Sequence, residues 1–141
     1  MDALTFLTAH VPLFEGVSPE ALSELAVNST IRQLAPGQIV LRAGLTVEEL
    51  HVVAAGKVEV HAKIPNRGTG VVGTLGPGEV FGETSLLEKT VAGATVKAGE
   101  AGAYVLLIPE EPFAALLARD EAFAARVRAL IESRRPPAAK T

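Results

Sequence analysis

Between positions 76 and 87 the chain reads Gly76-Pro77-Gly78-Glu79-Val80-Phe81-Gly82-Glu83-Thr84-Ser85-Leu86-Leu87, and most of its usable chemistry is concentrated there. A strand ending at Phe81 can turn at Gly82, and Glu83 to Leu87 can form one turn of helix whose free N–H groups point outward. Such a terminus attracts anions. Glu83 is an acceptor suited to sugar hydroxyls, while Thr84 and Ser85 can donate to phosphate oxygens. Taken alone, the stretch also fits an ordinary turn of a β-rich protein.

The other reactive side chains do not form a set. Ten positions separate His51 from His61, and His10 lies in a leading helix, so no metal site is expected. Alternation along their strands makes His51 and His61 surface or partly buried polar positions. Glu48-Glu49 precede a strand, and Glu110-Glu111 suit the positive end of a helix dipole. No Ser, His and Asp set and no acid pair has a reason to converge, so catalysis is not expected. The absence of Cys excludes thiol catalysis, thiolate zinc sites and a redox switch. Thirteen Lys and Arg against sixteen Asp and Glu leave a net charge of −3, which argues against non-specific binding to nucleic acid or an anionic membrane. The opening Met1-Asp2-Ala3-Leu4 has an acid where a targeting segment has basic residues, and no apolar run approaches the roughly 20 residues that span a bilayer. A cytoplasmic protein that meets other proteins or small molecules is the expectation.

A chain of 141 residues is long enough for one domain. Residues 1–29 read as helical, with Ser18 as N-cap, Pro19 at the first helical position, and Leu22, Leu25 and Ala26 at helical spacing. Leu13-Phe14-Glu15-Gly16 marks a break between two short helices. Over 30–109 the pattern becomes short β-type runs between Gly-containing turns, at 31–34, 39–41, 50–54, 57–63, 71–75, 95–98 and 104–108. Ala35-Pro36-Gly37-Gln38-Ile39-Val40 is echoed by Gly76-Pro77-Gly78-Glu79-Val80-Phe81, and two related halves suit a jelly roll in which each Pro-Gly turn launches a strand. Asn66-Arg67-Gly68-Thr69-Gly70 reads as a hairpin tip. Helical periodicity returns over 110–135, with Phe113, Leu116 and Leu117, then Phe123, Val127, Leu130 and Ile131 on one apolar face. Arg126 and Arg128 fall off that stripe. The final Arg134-Arg135-Pro136-Pro137-Ala138-Ala139-Lys140-Thr141 carries no periodicity and reads as a frayed tail, unstructured over 136–141.

These motifs, in this order, resemble the cyclic-nucleotide-binding domain family shared by catabolite activator proteins, protein kinase regulatory subunits and cyclic-nucleotide-gated channels. The resemblance rests on Val11-Pro12-Leu13-Phe14-Glu15-Gly16-Val17, on Gly37, Gly44 and Gly56, on Phe81-Gly82-Glu83 with Ser85-Leu86-Leu87, and on Ala94-Thr95-Val96 with the closing helices. It implies a mainly β fold: an eight-stranded jelly-roll barrel with N-terminal helices and two C-terminal helices. It also implies that 78–96 is a phosphate-binding cassette, in which Glu83 meets the ribose 2′-hydroxyl and helix N–H groups cradle the cyclic phosphate. The last helix would pack over the pocket as a lid or dimerise.

The chain departs from the family at the phosphate. The family's arginine maps to Ala92 and its small or hydroxylated neighbour to Gly93, and no Arg occurs between Arg67 and Arg119. A missing charge partner should weaken phosphate binding by about 2–5 kcal/mol, a factor of roughly 30 to several thousand. Lys97 falls on the opposite strand face from Ala92. Lys89 can swing toward the phosphate, although its ammonium does not replace a bidentate guanidinium.

The candidate pocket is therefore Phe81, Gly82, Glu83, Thr84, Ser85, Lys89, Ala92, Gly93 and Ala94, with no metal and no resident cofactor. The expected function is a non-enzymatic regulatory module that acts by protein–protein contact and binds cyclic AMP or cyclic GMP weakly or not at all. A true cyclic-nucleotide sensor with a compensating phosphate contact and a cupin-like metalloenzyme are the alternatives. A homodimer through the C-terminal helix stays open, and with no helix-turn-helix after that helix no DNA reading is expected.

Overall fold

The computed structural model describes residues 2–135, so the expected tail at 136–141 lies outside the described residues. The chain opens with α1 (Ala3–His10), a short 3-10 turn (Pro12–Phe14) and α2 (Pro19–Asn28). Ser18 accepts from the Ala21 N–H with Pro19 at the first helical position, so α2 starts where its capping residues require. The strands are β1 (Thr30–Leu34), β2 (Ile39–Leu41), β3 (Glu49–Ile64), β4 (Gly68–Leu75), β5 (Val80–Phe81) and β6 (Thr95–Pro109). Three more helices complete the order: α3 (Glu83–Glu88) between β5 and β6, then α4 (Glu110–Arg119) and α5 (Glu121–Arg134).

All pairings are antiparallel, in the order β1-β6-β3-β4, with β2 added to β6 and β5 to β3. β3 and β6 are long, and each serves two layers. The first half of β3 and the second half of β6 join β1 and β5, while their other halves join β2 and β4. Counting each half separately gives the eight strands of a jelly roll. Sequence punctuation suggested breaks at 55–56 and 99–103, but the strands continue through both and bend. Gly56 (φ +76°) and Gly102 (φ +77°) sit at the bend, and a Cβ on Gly56 would stand 2.4 Å from the Gly102 carbonyl oxygen. The glycines let two backbones cross closely, and bulges on both sides of Gly56 absorb the change of direction.

The repeated Pro-Gly turns are structural twins. Gln38 Oε1 accepts from the Ala35 N–H at 2.9 Å, and Glu79 Oε1 accepts from the Gly76 N–H at 3.0 Å. Each turn then docks on a long strand by the same two bonds, Gly37 and Gln38 to Ala98, Gly78 and Glu79 to Val53. Gln38→Ala and Glu79→Ala should each cost about 1 kcal/mol, read as a lower urea midpoint at unchanged slope.

The core has two parts. Leu50, Val52, Leu106 and Ile108 face the helices, while Val53, Val58, Val96 and Val105 fill the barrel interior. The sheet layer beneath the helices is thus buried on both sides, which is why 50–54 reads as an unbroken apolar run around His51. Phe123 holds the helical layer together by stacking on Phe14 at 5.5 Å and meeting Phe113 edge-on at 6.0 Å. Among the described residues no helix is long and apolar enough to cross a membrane.

Candidate functional site

A cleft of about 660 Å3 opens at one end of the barrel, between α3, the loop after it, the inner face of the β3–β4 layer and the end of α5. Phe81, Gly82, Glu83, Thr84, Ser85, Ala92, Gly93 and Ala94 all line it. Lys89 does not. It ends α3 in the left-handed conformation (φ 57°), and its Nζ lies 3.0 Å from Glu110 Oε2, away from the cleft. A swing toward a phosphate would have to break that pair.

Local geometry explains how the cleft residues are held. β5 delivers Phe81 to the barrel interior, and Gly82 turns the chain with φ +90°. A side chain at Gly82 would meet Glu49 O at 3.1 Å and His51 Nδ1 at 3.2 Å, so the turn needs glycine. Glu83 is consequently carried into the wall and is 2% exposed. Past α3 the chain is fixed by two backbone bonds, Ala92 N–H to Leu45 O at 2.9 Å and Gly44 N–H to Ala92 O at 2.8 Å. Ala92 itself is 4% exposed and packs among apolar neighbours.

Four polar side chains of the cleft, those of Glu83, Thr84, Ser85 and Arg134, are already engaged within the protein. Arg134 Nη1 donates to Val80 O at 2.6 Å and to Glu83 Oε1 at 3.0 Å, and Thr84 Oγ1 donates to Glu83 Oε2 at 3.3 Å. Ser85 Oγ donates to Val91 O at 3.2 Å, so neither hydroxyl expected to meet a phosphate is idle. Arg135 pairs with Glu88 and Glu132. Both arginines lie inside the 110–135 helical segment expected from the sequence, although no periodicity was read from Arg134 onward, and α5 continues to Arg134. The missed signal is periodicity: Arg134 lies three positions after Ile131 and seven after Val127, on the stripe that faces the barrel. Arg126, expected off that stripe, donates through Nε to Leu13 O at 3.1 Å, and Arg128 is exposed.

The cyclic nucleotide-binding domain model matches residues 31–120. The chain belongs to the cyclic nucleotide-binding domain family. It is similar to the cyclic AMP receptor protein of Thermus thermophilus, 34% identical over 124 residues, which is 87% of this chain and 56% of the relative. It is also similar to a cAMP-dependent protein kinase regulatory subunit of Mycosarcoma maydis, 32% identical over 76% of this chain and 21% of that one. A crystal structure of Thermus thermophilus catabolite activator protein superposes with a TM-score of 0.74 at 30% identity, covering 87% of this chain and 57% of that chain. The chain thus spans about half of one relative's length and a fifth of the other's.

Beneath the cleft of this cyclic nucleotide-binding domain lies His51, which is 3% exposed rather than at the surface or partly buried as alternation suggested. Its strand sits in the layer that is covered on both sides. The ring stacks on Phe81 at 4.6 Å, and among the described residues Nδ1 has no hydrogen-bond partner. Burial pushes its pKa down to about 4, with the nearby Arg32 charge acting in the same direction. The folded state therefore holds His51 neutral while the unfolded chain takes up a proton below about pH 6.5, so stability falls as pH drops from there toward 4. Lowering pH from 7 to 4.5 should remove about 2–3 kcal/mol through this group alone. His51→Phe keeps the stacking and should flatten that part of the urea-denaturation pH profile. His61 is partly buried and contacts Glu59 at 3.0 Å, and the two histidines point to separate surroundings. Among the described residues no three His, Asp or Glu side chains gather as metal ligands would.

Proposed function

We propose that the chain is a non-enzymatic regulatory module that works through contact with another protein, with a cleft that takes cyclic AMP or cyclic GMP weakly or not at all. The observation that carries this reading is the apolar, buried Ala92 at the phosphate position, beside a Glu83 carboxylate already engaged by Arg134. A cyclic phosphate entering the cleft would lose water without gaining a guanidinium partner there. The arginines at the mouth are paired with Glu83, Glu88 and Glu132, so among the described residues the positive charge at the end of α5 is already engaged. The regulatory names of the relatives support the role, and no cleft residue has the base-and-nucleophile partnership that catalysis needs.

Calorimetry on the purified chain with cyclic AMP and cyclic GMP tests the reading. Dissociation constants of about a millimolar or weaker are expected. Micromolar binding would instead make the chain a sensor whose phosphate partner is one of the cleft's other groups, and the protein-contact reading would lose its basis.

A further inference from the structure

α5 ends on the cassette, and its last turn does more there than cover apolar surface. Arg134 reaches the Val80 carbonyl and the Glu83 carboxylate, whose side chain is 3% exposed against 28% for Arg134 itself. A charge-assisted bond at such a shielded position is strong. The neighbouring Arg135–Glu88 pair is 47% and 35% exposed and contributes less. Glu83 is also the acceptor a ligand hydroxyl would need, and its two oxygens are occupied by Arg134 and Thr84.

We infer that Arg134 is an internal occupant of the cleft: its guanidinium fills the hydroxyl-accepting position at Glu83 and latches α5 shut, so that ligand entry and docking of α5 compete. This rests on reading the cleft as a nucleotide site. Closure of α5 then needs no ligand, because the latch is built from the chain's own residues. A ligand can win Glu83 only by displacing the guanidinium, and its apparent affinity is reduced by the fraction of molecules already latched. The signal a partner reads is release of α5 rather than its recruitment.

Hydrogen exchange and calorimetry on the whole chain separate the parts of this proposal. Without ligand, Arg134→Gln should quicken amide exchange over residues 127–134 by about tenfold or more while β3 amides keep their protection, and Arg134→Lys should retain most of the slowing. Unchanged exchange over 127–134 overturns the latch. In the Ala92→Arg background, adding Arg134→Gln should tighten cyclic AMP binding by about tenfold or more. Equal or weaker binding overturns the competition, because Arg134 would then be neutral or a partner of the ligand. If Ala92→Arg and the double variant both fail to bind while exchange still quickens, the competition falls through the nucleotide reading of the cleft, not through the latch. Protected β3 amides show that the variants are folded.

Discussion

Ala92→Arg is expected to strengthen cyclic AMP binding by roughly 30-fold to several thousandfold, the range that a desolvated phosphate–guanidinium pair commands when one partner is restored. Position 92 lines the cleft, and its backbone is anchored on both sides by Gly44 and Leu45, so a long side chain there starts from a fixed point. Because the alanine methyl is packed, the guanidinium must leave by the cleft side, where a phosphate would sit against α3. Ala92→Lys should gain much less, since an ammonium offers a point charge and no fork of parallel donors. Calorimetry of the three proteins against cyclic AMP checks the order Arg, Lys, Ala. A gain no larger for arginine than for lysine would mean that general attraction, not a bidentate contact, is all the position can supply.

Gly56→Val should destabilise the fold by about 4 kcal/mol, a large share of the roughly 5–15 kcal/mol that holds an ordinary domain folded. Two costs combine. A β-branched residue is a genuine outlier at φ +76°, and its Cβ would press to 2.4 Å from the carbonyl oxygen of Gly102 and 3.0 Å from Ala103 Cα. Those atoms are backbone and have nowhere to rotate. Gly73→Val, in β4 with open space at its Cβ position and no left-handed φ, is the matched control and should cost far less. Urea denaturation of both variants reads the difference, and similar midpoints would show that the crossing can relax.

Which features were legible in the sequence follows from how local their causes are. Ser18 with Pro19, the paired Pro-Gly turns and the Phe81-Gly82-Glu83 corner each carry their reason within a few residues, and each forms as expected. The bends of β3 and β6 were misread as chain breaks because a glycine that ends a strand and one that lets two strands cross look alike along one chain. Only the partner backbone distinguishes them. His51 was placed too near the surface for a similar reason: alternation assumes one wet face, and here helices cover one side of the layer while the barrel fills the other. Lys89 and Arg134 exchanged roles. Lys89, a candidate for the phosphate, is held by Glu110, twenty-one positions away, while Arg134, at the end of the helical segment where periodicity was no longer read, reaches Glu83 across 51 positions. Pairings at that separation leave no trace in local spacing, although the stripe through Val127 and Ile131 did point Arg134 at the barrel.

The central place of β6 also governs how the chain can reach this structure. β6 is the direct neighbour of β1, β2 and β3, and its register sets Thr30 against Leu107 and His51 against the same residue. Among the described residues neither β1 nor β2 has another strand partner. During synthesis residues 30–94 therefore emerge with two strands that have nowhere to dock. Closing such distant pairs carries a loop-entropy cost before any contact offsets it, so folding should be slow and concerted, waiting on the last strand. Until β6 arrives, the open edges of β1 and β2 are the places where a nascent chain of this fold is most exposed to mispairing.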